Sequence, residues 1–269
     1  MPAPQPIRPA NAAPSQRPGE LKLCGLSAVR ARFGRDSGSI LRLYFDYETG
    51  RKIGVICKVL AAGKKIYRCV EPAELEKVAG TIHHGGIVAV VREVKPSRVG
   101  PGEAAAWARK RETVLVLDRI GNAHNLGAIA RTAAFFGVPR IVIPEGPGAA
   151  QPNDAAHRVA EGGLEHIEVR MVPLLTEFLR ELAAAGYDVL GTSPHGGKPA
   201  RILALGGNGR APGRPVAIVL GNEEHGLSPA AQAACTRLVT IPGSGQVESL
   251  NVSATAAVLI WALACGPTA

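Results

Sequence analysis

Three stretches of the chain set polar side chains beside residues that expose backbone. Gly121 to Arg131 carries Asn125, Gly127 and Arg131, and Leu220 to Ser228 carries Gly221, Glu223 and Gly226. The third, Val239 to Leu263, passes from an apolar strand through a Pro/Gly loop to Glu248, Ser249 and Asn251, and then into an apolar helix. Ser or Asn before an apolar run is also an ordinary helix cap, so that stretch alone reads equally as a helix start. Several familiar chemistries are excluded. No GxGxxG follows the first strand of this half, which disfavours a dinucleotide site. Gly191 to Lys198 imitates a phosphate-binding loop, but its Lys is displaced by one residue and Pro199 stands where a magnesium-binding Ser or Thr belongs. No GxSxG elbow is present.

The elements that must position these loops alternate regularly from Thr113 onward. Strands are expected at 113–117, 140–143, 167–170, 188–191, 216–220 and 237–241. Helices are expected at 125–136, 154–162, 173–185, 229–234 and 251–263. Strands alternating with helices imply a mostly parallel sheet covered on both faces, and such sheets bind ligands at the carboxyl ends of their strands. The Gly/Pro-rich excursion 196–215 has no assigned place.

The preceding part differs in texture and charge. Residues 1–19 are Pro/Ala-rich without apolar periodicity and read as a disordered tail. Leu23, Leu26, Val29 and Phe33 fall at helical spacing. Strands are expected at 40–45, 65–70 and 87–91, and helices at 51–60 and 72–79. Residues 20–95 thus form a small α/β domain, 96–112 a linker with a helical turn or two, and 113–267 the main domain. Lys and Arg outnumber Asp and Glu by 20 to 10 over residues 1–112, against 11 to 12 over 113–269. The net charge of +9 therefore comes from the first part, as expected of a polyanion-gripping module joined to a catalytic one.

Other classes are disfavoured. No apolar run reaches the length of a membrane span, and no secretory signal is evident. The five cysteines show neither CxxC nor Cys/His ligand spacing, and His83-His84 lacks a third ligand, so no metal is expected and a reduced cytoplasm fits best.

Taken together, the three loops resemble the signature motifs of the SpoU (TrmH-like) RNA ribose 2'-O-methyltransferases of the SPOUT superfamily. Asn125, Gly127 and Arg131 match the first motif. Gly221, Glu223, Gly226, Leu227 and Ser228 match the second, and Ile241, Pro242, Ser249, Leu250, Asn251, Val252 and Ser253 the third. Gly243 departs from the Met usual after Ile-Pro in the rRNA-modifying branch. The ending His84-Gly-Gly-Ile-Val-Ala is similar to that of the ribosomal-protein-like substrate-binding domain carried by one branch of the family.

The resemblance implies a SPOUT-type α/β catalytic domain with a C-terminal deep trefoil knot, a feature that general folding rules disfavour. It implies S-adenosylmethionine bound by Thr192, Gly221, Gly226, Ile241, Ser249 and Leu250, with glycines letting backbone approach the cofactor. It also implies a homodimer sharing its active sites, with structured RNA as partner, rRNA before tRNA. Arg131 is expected at the 2'-hydroxyl. With a free pKa above 12 a guanidinium is a demanding general base, so binding the adjacent phosphate and holding the hydroxyl is the preferred role. Asn125 is expected to orient Arg131 or the ribose, Glu223 to fix the knot loop or the partner's arginine, and Asn251 to hydrogen-bond within the site; Ser249 completes this set. Alternatives are a tRNA substrate, methylation of a base, and a non-catalytic RNA-binding protein of ribosome assembly.

Overall fold

The structure, a computed structural model, describes residues 18–200 and 214–265. Nearly all of the expected tail, and residues 201–213 of the Gly/Pro excursion, lie outside the described residues. The chain divides into two compact units, residues 1–94 and 95–269.

In the first unit a four-stranded sheet has the order β1-β4-β2-β3. Its strands are β1 (Glu20–Cys24), β2 (Ile40–Phe45), β3 (Ile66–Cys69) and β4 (Ile87–Arg92). β4 pairs antiparallel with β1 and β2, and β3 lies parallel to β2. The helical spacing from Leu23 to Phe33 is divided in the structure. Leu21 and Leu23 alternate with Lys22 and bury one face of β1, and Gly25, at φ +91°, turns the chain into α1 (Leu26–Asp36). The helix expected at 51–60 is likewise split. Asp46 caps the short α2 (Tyr47–Gly50) by accepting from Thr49 N at 2.8 Å, and α3 starts only at Gly54, running to Ala62. Leu43 and Phe45 face α1 and α3, while Tyr44, Val88 and Val90 face α4 (Pro72–Ala79).

The second unit is built on an eight-stranded sheet of order β10-β12-β9-β11-β6-β7-β8-β5, parallel at every pairing. Its principal strands are β6 (Val114–Leu117), β7 (Arg140–Pro144), β8 (Glu168–Val172), β9 (Asp188–Thr192), β11 (Val216–Leu220) and β12 (Arg237–Thr240). The two-residue strands β5 (Ser97–Arg98) and β10 (Lys198–Pro199) close the edges; nothing in their composition announced them. Strand alternation feeds two cores. Leu115, Leu117, Ile141, Ile218 and Leu220 pack on α6 (Ala123–Phe135), α7 (Asp154–Ala160) and the last helix, numbered α10 (Val252–Ile260). Val114, Val116, Val142, Val189 and Val219 pack on α5 (Glu103–Arg109), α8 (Leu175–Ala184) and α9 (Pro229–Ala234).

Residues 96–112, read from the sequence as a linker, are thus an integral layer of this unit. Trp107 on α5 is 3% exposed, meets Phe178 edge-on at 6.4 Å and lies under the Arg140 guanidinium at 4.8 Å. One aromatic among alanines was the only signal that this segment has a buried face. Among the described residues no helix is long and apolar enough to cross a membrane, and no cluster of three or more His, Cys, Asp or Glu could hold a metal ion.

Candidate active site

The loops after β6, β9, β11 and β12 all leave the carboxyl edge of the sheet, where an open α/β sheet leaves a crevice. The one after β11 is the most tightly specified. Asn222 and Gly226 exchange backbone hydrogen bonds in both directions, at 3.0 and 2.9 Å, and Asn222 Oδ1 accepts from the amides of Glu224 and His225. Gly226 closes the turn at φ +62°, a left-handed value that costs side-chain-bearing residues about 1–2 kcal/mol. Gly221 is required for another reason. A Cβ there would lie 2.3 Å from the Gly226 carbonyl carbon and 2.4 Å from Leu227 N. The sequence suggested that this glycine clears space for a ligand; in the structure it clears space for the loop's own backbone.

A second contact holds the loop from outside. Asp118, 4% exposed after β6, accepts from Ser228 N at 2.6 Å, while Arg119 donates to Gly226 O at 3.1 Å and accepts from Asn222 Nδ2 at 3.1 Å. Sequence reasoning missed both residues, because an Asp-Arg pair after a buried strand is common and its distant partner is not visible in the chain. Asp118→Ala leaves a buried amide without its acceptor, a loss of about 1–3 kcal/mol. It is expected to lower the unfolding midpoint and to loosen the loop.

Three of the expected site residues meet directly. Asn125, in the first turn of α6, donates through Nδ2 to Glu223 Oε1, and its Oδ1 accepts from Asn251 Nδ2 at 3.4 Å. The amide must face this way, since a carboxylate only accepts. Asn251 also caps α10: its Oδ1 accepts from Ser253 N at 2.9 Å and Ser253 Oγ at 2.6 Å. Both sequence readings of Asn251, cap and site residue, describe the same side chain.

Beside this triad lies a cavity of about 490 Å³, within the range of small-molecule sites. Thr192, Gly221, Gly226, Ile241, Ser249 and Leu250 all line it, with Glu223, Glu224 and Glu248 among its polar groups and Leu227, Val252 and Leu259 among its apolar ones. Among the described residues, the lining includes no Lys or Arg. Such walls suit a flat apolar ring together with a cationic centre. Thr192 Oγ1 accepts from Gly221 N at 3.4 Å, tying β9 to the second loop.

Arg131 is placed apart. Six residues along α6 put it about 9 Å up the axis and about 120° around from Asn125, and it is not part of the cavity lining. Its guanidinium pairs with Glu161 at 2.8 Å, both side chains being 57% exposed. Asn125 therefore does not orient Arg131 within this chain; its amide is engaged by Glu223 and Asn251. Glu161 had no signal in the sequence. It occupies a left-handed position, φ +45°, just after α7.

With this geometry in place, comparison with known proteins gives a consistent answer. Residues 112–261 match the SpoU rRNA Methylase family, and residues 22–97 match the family described as RNA 2'-O ribose methyltransferase substrate binding. An uncharacterized tRNA/rRNA methyltransferase of Escherichia coli O157:H7, YfiF, is 34% identical over 91% of this chain and 68% of its own length. The 23S rRNA (guanosine-2'-O-)-methyltransferase RlmB of Nitrosomonas europaea is 30% identical over 88% of each chain. In fold, the AdoMet-bound rRNA methyltransferase of Sinorhizobium meliloti is similar at TM-score 0.71 and 21% identity, covering 91% of this chain and 87% of that one.

Proposed function

As this chain belongs to the SpoU rRNA Methylase family, we propose that it transfers a methyl group from S-adenosylmethionine to a ribose 2'-hydroxyl of RNA, with rRNA as the substrate class. The observation that carries this reading is the convergence of the three motifs. Asn125, Glu223 and Asn251, far apart in sequence, form one bonded group beside a cavity with apolar walls and carboxylates. The choice of rRNA is supported by the RlmB relative, named for action on 23S rRNA. The same reading includes a cytoplasmic location and the trefoil knot.

The cofactor supplies a sulfonium methyl group that is already activated. The work left to the chain is placement, a source of large rate gains when a nucleophile is held in line. Ile241, Leu250 and Leu227 exclude water and form apolar walls; Glu223 and Glu248 contribute negative charge facing a cationic centre. Asn125 and Asn251 fix Glu223 and the start of α10. Arg131 binds the phosphate next to the target ribose and holds the 2'-oxygen, whose proton leaves to that phosphate or to water as the oxygen attacks. Loss of the proton from arginine itself is disfavoured by its pKa above 12.

A homodimer is part of this reading, and the position of Arg131, paired with Glu161 and outside the described lining of its own chain's cavity, supports it. α6 and α10 pack on one another, and Phe135 at the end of α6 (82%) and Trp261 just after α10 (67%) are exposed. A second copy covers these rings and brings its Arg131 to this chain's cavity. Labelling of RNA with tritiated cofactor tests the proposal, alongside calorimetry of cofactor binding. A wild-type protein that binds RNA but has no affinity for the cofactor would instead support the non-catalytic assembly role.

Glu161 gives a separate prediction. As the counter-ion of Arg131 it competes with RNA phosphate for the guanidinium. An exposed pair is worth no more than about 1 kcal/mol, so Glu161→Gln is expected to lower the KM for RNA by up to about fivefold with kcat held. Steady-state kinetics would show this, and an unchanged KM would remove Glu161 from substrate binding.

A further inference from the structure

The first unit carries its charge unevenly. On one side of its sheet, α1 and α3 pack over Leu43, Phe45 and Ala89; on the other, α4 packs over Tyr44, Val88 and Val90. The α1/α3 side and its flanking turns expose Arg30, Arg51, Lys52, Lys58 and Lys64. Arg30 donates to Lys52 O at 3.1 Å, which joins α1 to the turn before α3. Lys65 bridges the end of α1 to the start of β3, donating to Ser37 O at 3.1 Å and Gly38 O at 2.7 Å. The two helices hold a single carboxylate, Asp36, and that one accepts from Ser39 N at 3.2 Å. By contrast α4 with its cap exposes Glu71, Glu74 and Glu76 against Lys77.

We infer that the α1/α3 face of the first unit is the surface that grips the RNA phosphate backbone, and that the α4 face is turned away from it. This rests on the RNA reading above and adds which residues make the contact. Five exposed cations on one side of a unit only four strands wide form a concentrated positive field, while three glutamates on α4 repel a polyanion. α1 and α3 expose no aromatic ring, Phe33 being half-buried in the core, but Tyr47 on α2, four residues before Arg51, is 72% exposed and stands beside these cations. The cations themselves hold backbone and carry no sequence information. Glu48 on α2 is the other exposed carboxylate close in sequence, and it leaves the excess strongly positive.

The test uses the full chain and a fluorescein-labelled RNA hairpin, with affinity followed by anisotropy from about 50 to 200 mM salt. In the triple variant Arg51→Gln, Lys58→Gln, Lys64→Gln, the slope of log K against log salt is expected to fall in magnitude by about 2–3, near one for each lost phosphate contact. Lys77→Gln on α4 is expected to leave the slope unchanged. These positions are exposed, and circular dichroism checks that folding is kept. An unchanged slope in the triple variant, or a loss confined to Lys77→Gln, would overturn the assignment while leaving RNA methylation intact. A wild-type chain that labels no RNA would instead overturn the reading on which it rests.

Discussion

Arg131→Ala is expected to lower methyl transfer by at least about 100-fold, the scale of removing one well-placed donor from a reacting oxygen, and to leave cofactor affinity unchanged. The two halves of this expectation come from one geometric fact. Arg131 lies about 120° around α6 from Asn125, pairs with Glu161 and is not part of the described cavity lining, so truncating it removes no cavity wall. Arg131→Lys keeps the charge but loses the planar fork that can hold a phosphate and a hydroxyl together, and it is expected to recover only part of the rate. Single-turnover kinetics with saturating cofactor separates the two effects. Loss of cofactor affinity in Arg131→Ala, or a rate equal to wild type, would contradict this placement.

Gly221→Ala is expected to abolish cofactor binding, and to do so where Gly226→Ala only weakens it. A methyl group at 221 meets three backbone atoms of Gly226 and Leu227 at 2.3 to 2.6 Å, and backbone cannot step aside as a flexible side chain can. The loop from 221 to 228 must then open, carrying Glu223 out of reach of Asn125. Overpacking of this kind costs about 1–3 kcal/mol. At 226 no atom of the described residues, chain neighbours aside, lies within 4 Å of an added Cβ, so the penalty is that of its left-handed backbone. Calorimetry and thermal melts on both variants check the order. The pair also tests the dimer. Co-expressed Arg131→Ala and Gly221→Ala chains form a heterodimer in which one intact cavity faces one intact arginine, and labelling is expected to return. Continued inactivity in a demonstrated heterodimer would argue that each chain works alone.

Most of the second unit was legible because its strands are continuous apolar runs and its helices carry an apolar stripe. Val114 to Leu117 and Val216 to Leu220 are buried at every residue, which is how strands covered on both faces must read. What escaped were elements too short to have a period, β5 and β10, and the boundary at Gly25, where an accidental helical spacing bridged a strand and a helix. In the site, the motif residues could be located because three short stretches of the sequence resemble the SpoU signature motifs. Their pairings could not, since Asn125 with Glu223, and Asp118 with Ser228, depend on strand order in the sheet. Glu161 was invisible for the same reason. The direction in which Arg131 points follows from helix geometry, but only the structure supplies the carboxylate that it meets.

The chemical identity of the product tests ribose 2'-O-methylation most directly. The full chain is incubated with ribosomal RNA and tritiated S-adenosylmethionine, the RNA is digested to nucleosides, and the labelled species is identified by chromatography and mass. Label is expected in a 2'-O-methylnucleoside, and none with Arg131→Ala. Label in a base-methylated nucleoside, or none at all from a protein that binds both cofactor and RNA, would contradict ribose 2'-O-methylation.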